Sequence, residues 1–176
     1  AQKLLKGALG TNNFDANSRL CMSSAVAGYT RSLGSDGPPC CYADLDHCSV
    51  AFLIGTNTAE CHPVLFQRLL KRKRKNPGSV TIVVVDPRHT DTAKAADIHL
   101  PIAPGSDLAL LHGIAHLVLR ENGQDPAFID DHTENYDGFF DVAARWTPRR
   151  VALFCNIPEK RLRAVAALFH LSLIHI

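Results

Sequence analysis

Two apolar runs, Ser49-Val50-Ala51-Phe52-Leu53-Ile54 and Val80-Thr81-Ile82-Val83-Val84-Val85, limit what this chain can fold into more than any other feature. Neither alternates strictly between polar and apolar residues, so each predicts a strand buried on both faces. Between them, His62-Pro63 opens a helix with Val64, Leu65, Leu69 and Leu70 along one side. That helix finishes on the basic run 71–75 and is stopped by Asn76-Pro77-Gly78. Strand, crossover helix and second buried strand predict a parallel, right-handed unit. A short strand follows near Ile98–Ile102. The next helix runs from Ser106 or Asp107 to Arg120, with Leu108, Leu111, Ile114, Ala115 and Val118 on its apolar face and Glu121-Asn122-Gly123 at its end. Alternation of this kind signals an α/β layer fold. Beyond Asp125-Pro126 the pattern changes to helical pieces at 127–132, 135–144 and 158–169.

Ahead of the first strand lies Asn12-Asn13-Phe14-Asp15-Ala16-Asn17-Ser18-Arg19-Leu20-Cys21-Met22, followed by the small-residue helix Ser23 to Ser32. Asparagine and aspartate favour turns, which places the Cys21 sulfur near a helix N-terminus, where free amides and the dipole favour thiolate. A thiolate attacks substrates or binds a metal; a cysteine before a helix also serves as a small buried hydrophobe.

Three further segments follow strands. Ile54-Gly55-Thr56-Asn57-Thr58-Ala59-Glu60-Cys61 lies at the carboxyl end of the first, where parallel sheets bind ligands and a glycine lets phosphate approach the backbone. Asp86-Pro87-Arg88-His89-Thr90 ends the second; there an aspartate can accept from a ribose and an arginine can meet phosphate, or the two can form a capped turn. Gly105-Ser106-Asp107 reads first as a helix cap. No full Gly-x-Gly-x-x-Gly and no Walker lysine is present, so an ordinary nicotinamide or ATP site is unsupported.

The segment Arg19-Leu20-Cys21-Met22-Ser23-Ser24-Ala25-Val26-Ala27-Gly28, with Asp36-Gly37-Pro38-Pro39-Cys40-Cys41-Tyr42 after it, resembles the metal-ligand region of assimilatory nitrate reductases in the bis-molybdopterin-guanine-dinucleotide oxidoreductase family. The resemblance implies a parallel Rossmann-like sheet flanked by helices, the dinucleotide-binding region of such an enzyme. It makes Cys21 the molybdenum ligand, a role suited to a soft thiolate, and puts Met22 beside the substrate approach. It assigns Asn17, residues 54–61, residues 86–90 and Gly105, Ser106 and Asp107 to the molybdenum bis-molybdopterin guanine dinucleotide. Asp107 would read the guanine edge, whose paired N–H donors suit a carboxylate. The implied reaction reduces nitrate to nitrite with electrons from a ferredoxin-like or other reductase donor, through a 4Fe-4S cluster whose ligands lie outside this chain. Formate dehydrogenases share the fold but follow the ligand with histidine, against Met22; a metal-free electron-transfer scaffold of the same fold would have no need for Cys21 and the nucleotide loops together.

The chain has 176 residues and starts at Ala1 within what reads as the last turns of a helix ending at Gly10. It is expected to be an internal piece of a longer enzyme, inactive alone. Residues 1–134 form the incomplete dinucleotide-binding domain, 135–170 begin the following segment, and 171–176 are an adapter-encoded tail. Net charge of +2 points to no polyanion, and the basic run reads as a solvated helix end, so no nucleic-acid partner is expected. Every apolar run is shorter than a membrane span. Six cysteines without scaffold spacing favour the reducing cytoplasm. Adjacent Cys40-Cys41, His47-Cys48 and Cys61-His62 lack the separation of zinc ligands. His112 and His116 lack the intervening glutamate of a protease helix and read as packing or capping residues.

Overall fold

The structure, a computed structural model, describes residues 1–37 and 39–171, excepting the side chains of His170 and Leu171. Pro38 and the tail 172–176 lie outside the described residues, so the tail expected from the sequence has no structural account. The chain divides into two compact units, Ala1–Cys41 and Tyr42–Ile176.

In the first unit a π-helical turn, Lys3–Ala8, ends at Gly10, whose φ of 64° is the left-handed conformation expected of a helix-terminating glycine. Two helices follow, α1 (Ser18–Cys21) and α2 (Ser23–Leu33), and α2 closes on Gly34 at φ 79°. None of the described residues of this unit is buried.

The second unit opens with a 3-10 turn, Tyr42–Asp46, and continues β1 (Val50–Ile54), α3 (Thr58–Cys61), α4 (Pro63–Lys75), β2 (Thr81–Val85), α5 (Asp91–Lys94) and β3 (Ile98–Leu100). Then come α6 (Asp107–Arg120), α7 (Pro126–His132), α8 (Tyr136–Ala144), α9 (Pro148–Cys155) and α10 (Glu159–Leu171). The strands form a parallel sheet in the order β1-β2-β3, with Val50 opposite Thr81 and Val83 opposite Ile98. This is the α/β architecture that the two apolar runs demand.

β2 is the central strand, and its pleat explains its composition. Val83 and Val85 enter a core with Leu100, Leu110, Ile114, Val151, Leu162 and Val165. Ile82 and Val84 enter the opposite core with Ala51, Leu69, Val80 and Ala93. Both faces are therefore dry, which a continuous valine run satisfies. β1 departs from expectation: as an edge strand it buries only Ala51.

Two helix faces also differ from those read in the sequence. On α4 the buried residues are Phe66 and Leu69, while Val64 is 81% exposed. On α6 they are Ala109, Leu110, Gly113, Ile114, His116 and Leu117, while Leu108 is 72% exposed. The α6 sequence is apolar almost all round, so periodicity leaves several faces open. Gly113 decides between them: a Cβ there would stand 2.7 Å from Val151 Cγ2, so this is the face that α9 approaches. His116 is buried with its Nδ1 3.2 Å from the Ala143 carbonyl, and His112 stacks on Trp146, in keeping with packing roles. α3, α5 and α9 are helices that the sequence reading did not separate. Among the described residues no helix is long and apolar enough to cross a membrane.

Candidate functional site

In a parallel sheet the segments that leave the strands share one edge, and the three loops singled out by sequence leave β1, β2 and β3. Gly55 follows β1 with φ 61°, and its N–H donates to the Val85 carbonyl at 2.9 Å. A Cβ at Gly55 would meet nothing within 4 Å, so the position is required for the turn and is open above it. The loop is then pinned by a residue the sequence reading passed over. Thr92, fully buried at the start of α5, donates its hydroxyl to Asn57 Oδ1 at 2.8 Å and accepts the Ala59 N–H at 2.9 Å. This joins the loop after β1 to the helix after β2. Within the loop, Glu60 and Cys61 donate N–H groups to the Asn57 carbonyl, Thr56 and Thr58 hydroxyls lie 3.2 Å apart, and Cys61 Sγ lies 3.1 Å from His62 Nδ1.

Asp86, only 7% exposed, ends β2. Its Oδ1 accepts the Arg88 N–H at 2.7 Å, its own N–H donates to the Leu100 carbonyl, and its carbonyl lies 2.8 Å from His99 Nε2. The capped turn that the sequence allowed is thus present, yet Oδ2 makes no hydrogen bond with a described residue. Arg88 and His89 are exposed, and Thr90 caps α5 by accepting the Ala93 N–H.

After β3, Gly105 adopts φ 81° with open space where a Cβ would stand. Ser106 occupies the cap position of α6, but its buried hydroxyl donates to the Ala103 carbonyl at 2.6 Å instead of capping the helix. Asp107 begins α6. The loop is tied to α9 by the Ala103 N–H, which donates to the Cys155 carbonyl at 2.9 Å, and by the Cys155 thiol, which donates to the Ser106 carbonyl at 3.6 Å. Burial pushes the Cys155 thiol up from its ordinary pKa, in keeping with an inert, packing cysteine. The edge therefore presents a half-engaged buried carboxylate, a second carboxylate, an exposed guanidinium and two open glycines, a set that offers acceptors, donors and room to a polar ligand.

Asn17, Cys21 and Met22 belong to the first unit. Asn17 caps α1 with its backbone carbonyl, which accepts the Cys21 N–H at 2.9 Å. The expected single loop before the cysteine instead contains α1, whose last residue is Cys21; Met22, at φ −112° and ψ −10°, breaks the helix before α2 starts at Ser23. The thiol thus stands at a junction of two helices and is exposed. The same unit has a shallow groove lined by Asp15, Arg19, Met22, Ser23, Arg31 and Asp36, among others; Cys21 is not part of its lining. Arg19 donates from Nε to Asp15 Oδ2 at 2.9 Å, and this hydrogen bond, helped by the Ala16 N–H, holds the Asp15 carboxyl below the usual carboxylate range.

The family profile described as Molybdopterin oxidoreductase matches residues 1–154. Across 166 residues the chain is 56% identical to a nitrate reductase of Synechocystis, covering 94% of this chain and 23% of that protein. It is 40% identical over 178 residues to a periplasmic nitrate reductase of Desulfovibrio desulfuricans, with coverage of 96% and 23%. The chain thus spans about a quarter of the length of these relatives. The fold matches acetylene hydratase from Pelobacter acetylenicus with a TM-score of 0.76 at 23% identity, over 92% of this chain and 21% of that one. On the family match and the shared fold, this chain belongs to the molybdopterin oxidoreductase family.

Proposed function

We propose that this chain is the central cofactor-binding portion of an assimilatory-type nitrate reductase, with Cys21 as the protein's ligand to molybdenum. The observation that carries the reading is an exposed thiol, followed by Met22, in a chain 56% identical to a nitrate reductase. Methionine after the ligand disfavours the formate dehydrogenase reading.

The residues fit a pterin guanine dinucleotide. Gly55 and Gly105 have no atom within 4 Å of a Cβ position, which leaves room for phosphate or base. Asp86 keeps one carboxylate oxygen unengaged while 7% exposed, an acceptor suited to a ribose hydroxyl. Arg88 supplies positive charge, Asp107 the acceptor for guanine N–H groups, and Asn57, held by Thr92, fixes the loop that contributes Thr56, Thr58, Ala59, Glu60 and Cys61. Asn17 holds the helical turn that carries Cys21. Residues 1–134 make up this binding region, and 135–170 open the following segment.

When bound, the molybdenum cofactor supplies the two-electron chemistry that converts nitrate and two protons to nitrite and water. The chain's own contribution is orientation: Cys21 anchors, Met22 borders the approach, and the sheet-edge loops fix the dinucleotide. The electron donor is a ferredoxin-like or other reductase protein, acting through a 4Fe-4S cluster held elsewhere in a full-length enzyme of the cytoplasm. The 176-residue chain by itself is inactive in this reading.

The test is reduced-viologen-dependent nitrite formation by the full-length polypeptide, with Cys21→Ala beside it and molybdenum measured in both. Nitrite from the parent, together with loss of turnover and lowered molybdenum retention in the variant, supports reaction and ligand together. A molybdenum-loaded parent that oxidises formate and makes no nitrite removes the substrate assignment and leaves the family intact.

A further inference from the structure

The groove on the first unit contains an arginine anchored through Nε. Arg19 and Met22 stand three residues apart and so share a side of the chain's helical turn, and both line the groove. Asp15 engages the guanidinium through Nε at 2.9 Å, and Asp15 is itself fixed by the Ala16 N–H on its other oxygen at 2.8 Å. The two terminal nitrogens of Arg19 form no hydrogen bond with a described residue. An arginine anchored at Nε and free at both Nη atoms presents parallel N–H donors in one plane. That fork matches two oxygens of a planar oxyanion and does not match a spherical halide.

We propose that Arg19 is a specificity-determining residue that receives a planar monovalent oxyanion in the groove next to Met22, with Asp15 fixing the guanidinium's orientation. The choice of nitrate as that anion rests on the functional reading above. One further feature of the groove agrees with this role: Arg31 adds a second cation, so the two carboxylates, Asp15 and Asp36, leave the lining without net negative charge.

Two measurements in the full-length polypeptide separate this assignment from the reaction itself. The first needs no turnover: phenylglyoxal labelling of arginine, mapped by peptide mass, with nitrate or equimolar chloride as protectant at constant ionic strength. Nitrate is expected to protect Arg19 and chloride to leave it reactive, and Asp15→Asn is expected to weaken the protection. The second is steady-state kinetics of Arg19→Lys, which keeps the charge and removes the fork. Its KM for nitrate is expected to rise about tenfold with kcat within about threefold, the pattern of lost ground-state binding. Equal protection by the two anions, or none, overturns the proposal, as does an unchanged KM in Arg19→Lys while the parent makes nitrite. Nitrate-selective protection in a parent that makes no nitrite upholds the anion site and overturns the reaction.

Discussion

At the scale of single residues, the structure turns on a side chain that sequence did not flag. Thr92 sits fully buried and spends its one hydroxyl on two partners from another loop, Asn57 and Ala59. Thr92→Val keeps the shape and orphans both partners. A loss of about 1 kcal/mol in urea unfolding is expected from the lost hydrogen bonds to these partly buried groups. Unchanged stability would mean that the loop after β1 is held by other contacts. The turn at Gly55 and the capped turn at Asp86 were legible because each residue type suits a turn and each follows a strand. Thr92 was not, because in the sequence it is one more small residue in Thr90-Asp91-Thr92-Ala93, and only the fold brings Asn57 within reach, 35 positions away. Ser106 shows the reverse: a good cap by type, it is diverted by the nearby Ala103 carbonyl.

At the scale of elements, the strands were readable almost to the residue, since a run such as Ile82-Val83-Val84-Val85 has few uses except a doubly buried strand. Helix ends marked by Pro63, Gly123 and Pro126 were nearly as clear, whereas the short helices α1, α3 and α5, and α9, were not separated. Helix faces were not: which side of α6 is covered depends on where α9 can approach, and that depends on Gly113 meeting Val151. One side chain joins three elements. Burial tends to raise the Asp97 carboxyl, but the Ile82 N–H at 2.8 Å and Lys73 Nζ at 2.6 Å outweigh it and hold the pKa below the ordinary value. Lys73 lies on α4, Ile82 on β2, and Asp97 precedes β3. A depressed folded-state pKa means that the stabilisation is complete above the unfolded carboxylate value of about 3.9 and is lost as pH falls below it through the folded value. Asp97→Asn is therefore expected to lower the urea midpoint at neutral pH and to match the parent in strong acid. A gap between the two that stays constant with pH would contradict this account.

At the scale of the whole molecule, every buried side chain among the described residues belongs to the Tyr42–Ile176 unit, and the Ala1–Cys41 unit has none. Below about 40 residues a chain without metal, disulfide or partner seldom sustains a core. A protein trimmed to 42–171 is accordingly expected to melt cooperatively within a few degrees of the parent, about the shift that 1 kcal/mol produces. A much larger drop would show that the first segment contributes stability after all. The family match spans the boundary between the units, covering 1–154, so relatedness and autonomous folding divide this chain differently.

The coreless first unit has a calorimetric consequence. Heat-capacity change on unfolding comes chiefly from apolar surface newly exposed to water, and residues 1–41 already leave theirs in water. The heat absorbed in a melt then belongs almost wholly to the sheet and its helices. Substitutions at Arg19, Cys21 or Met22 are therefore expected to leave the calorimetric melt of the 176-residue chain unchanged.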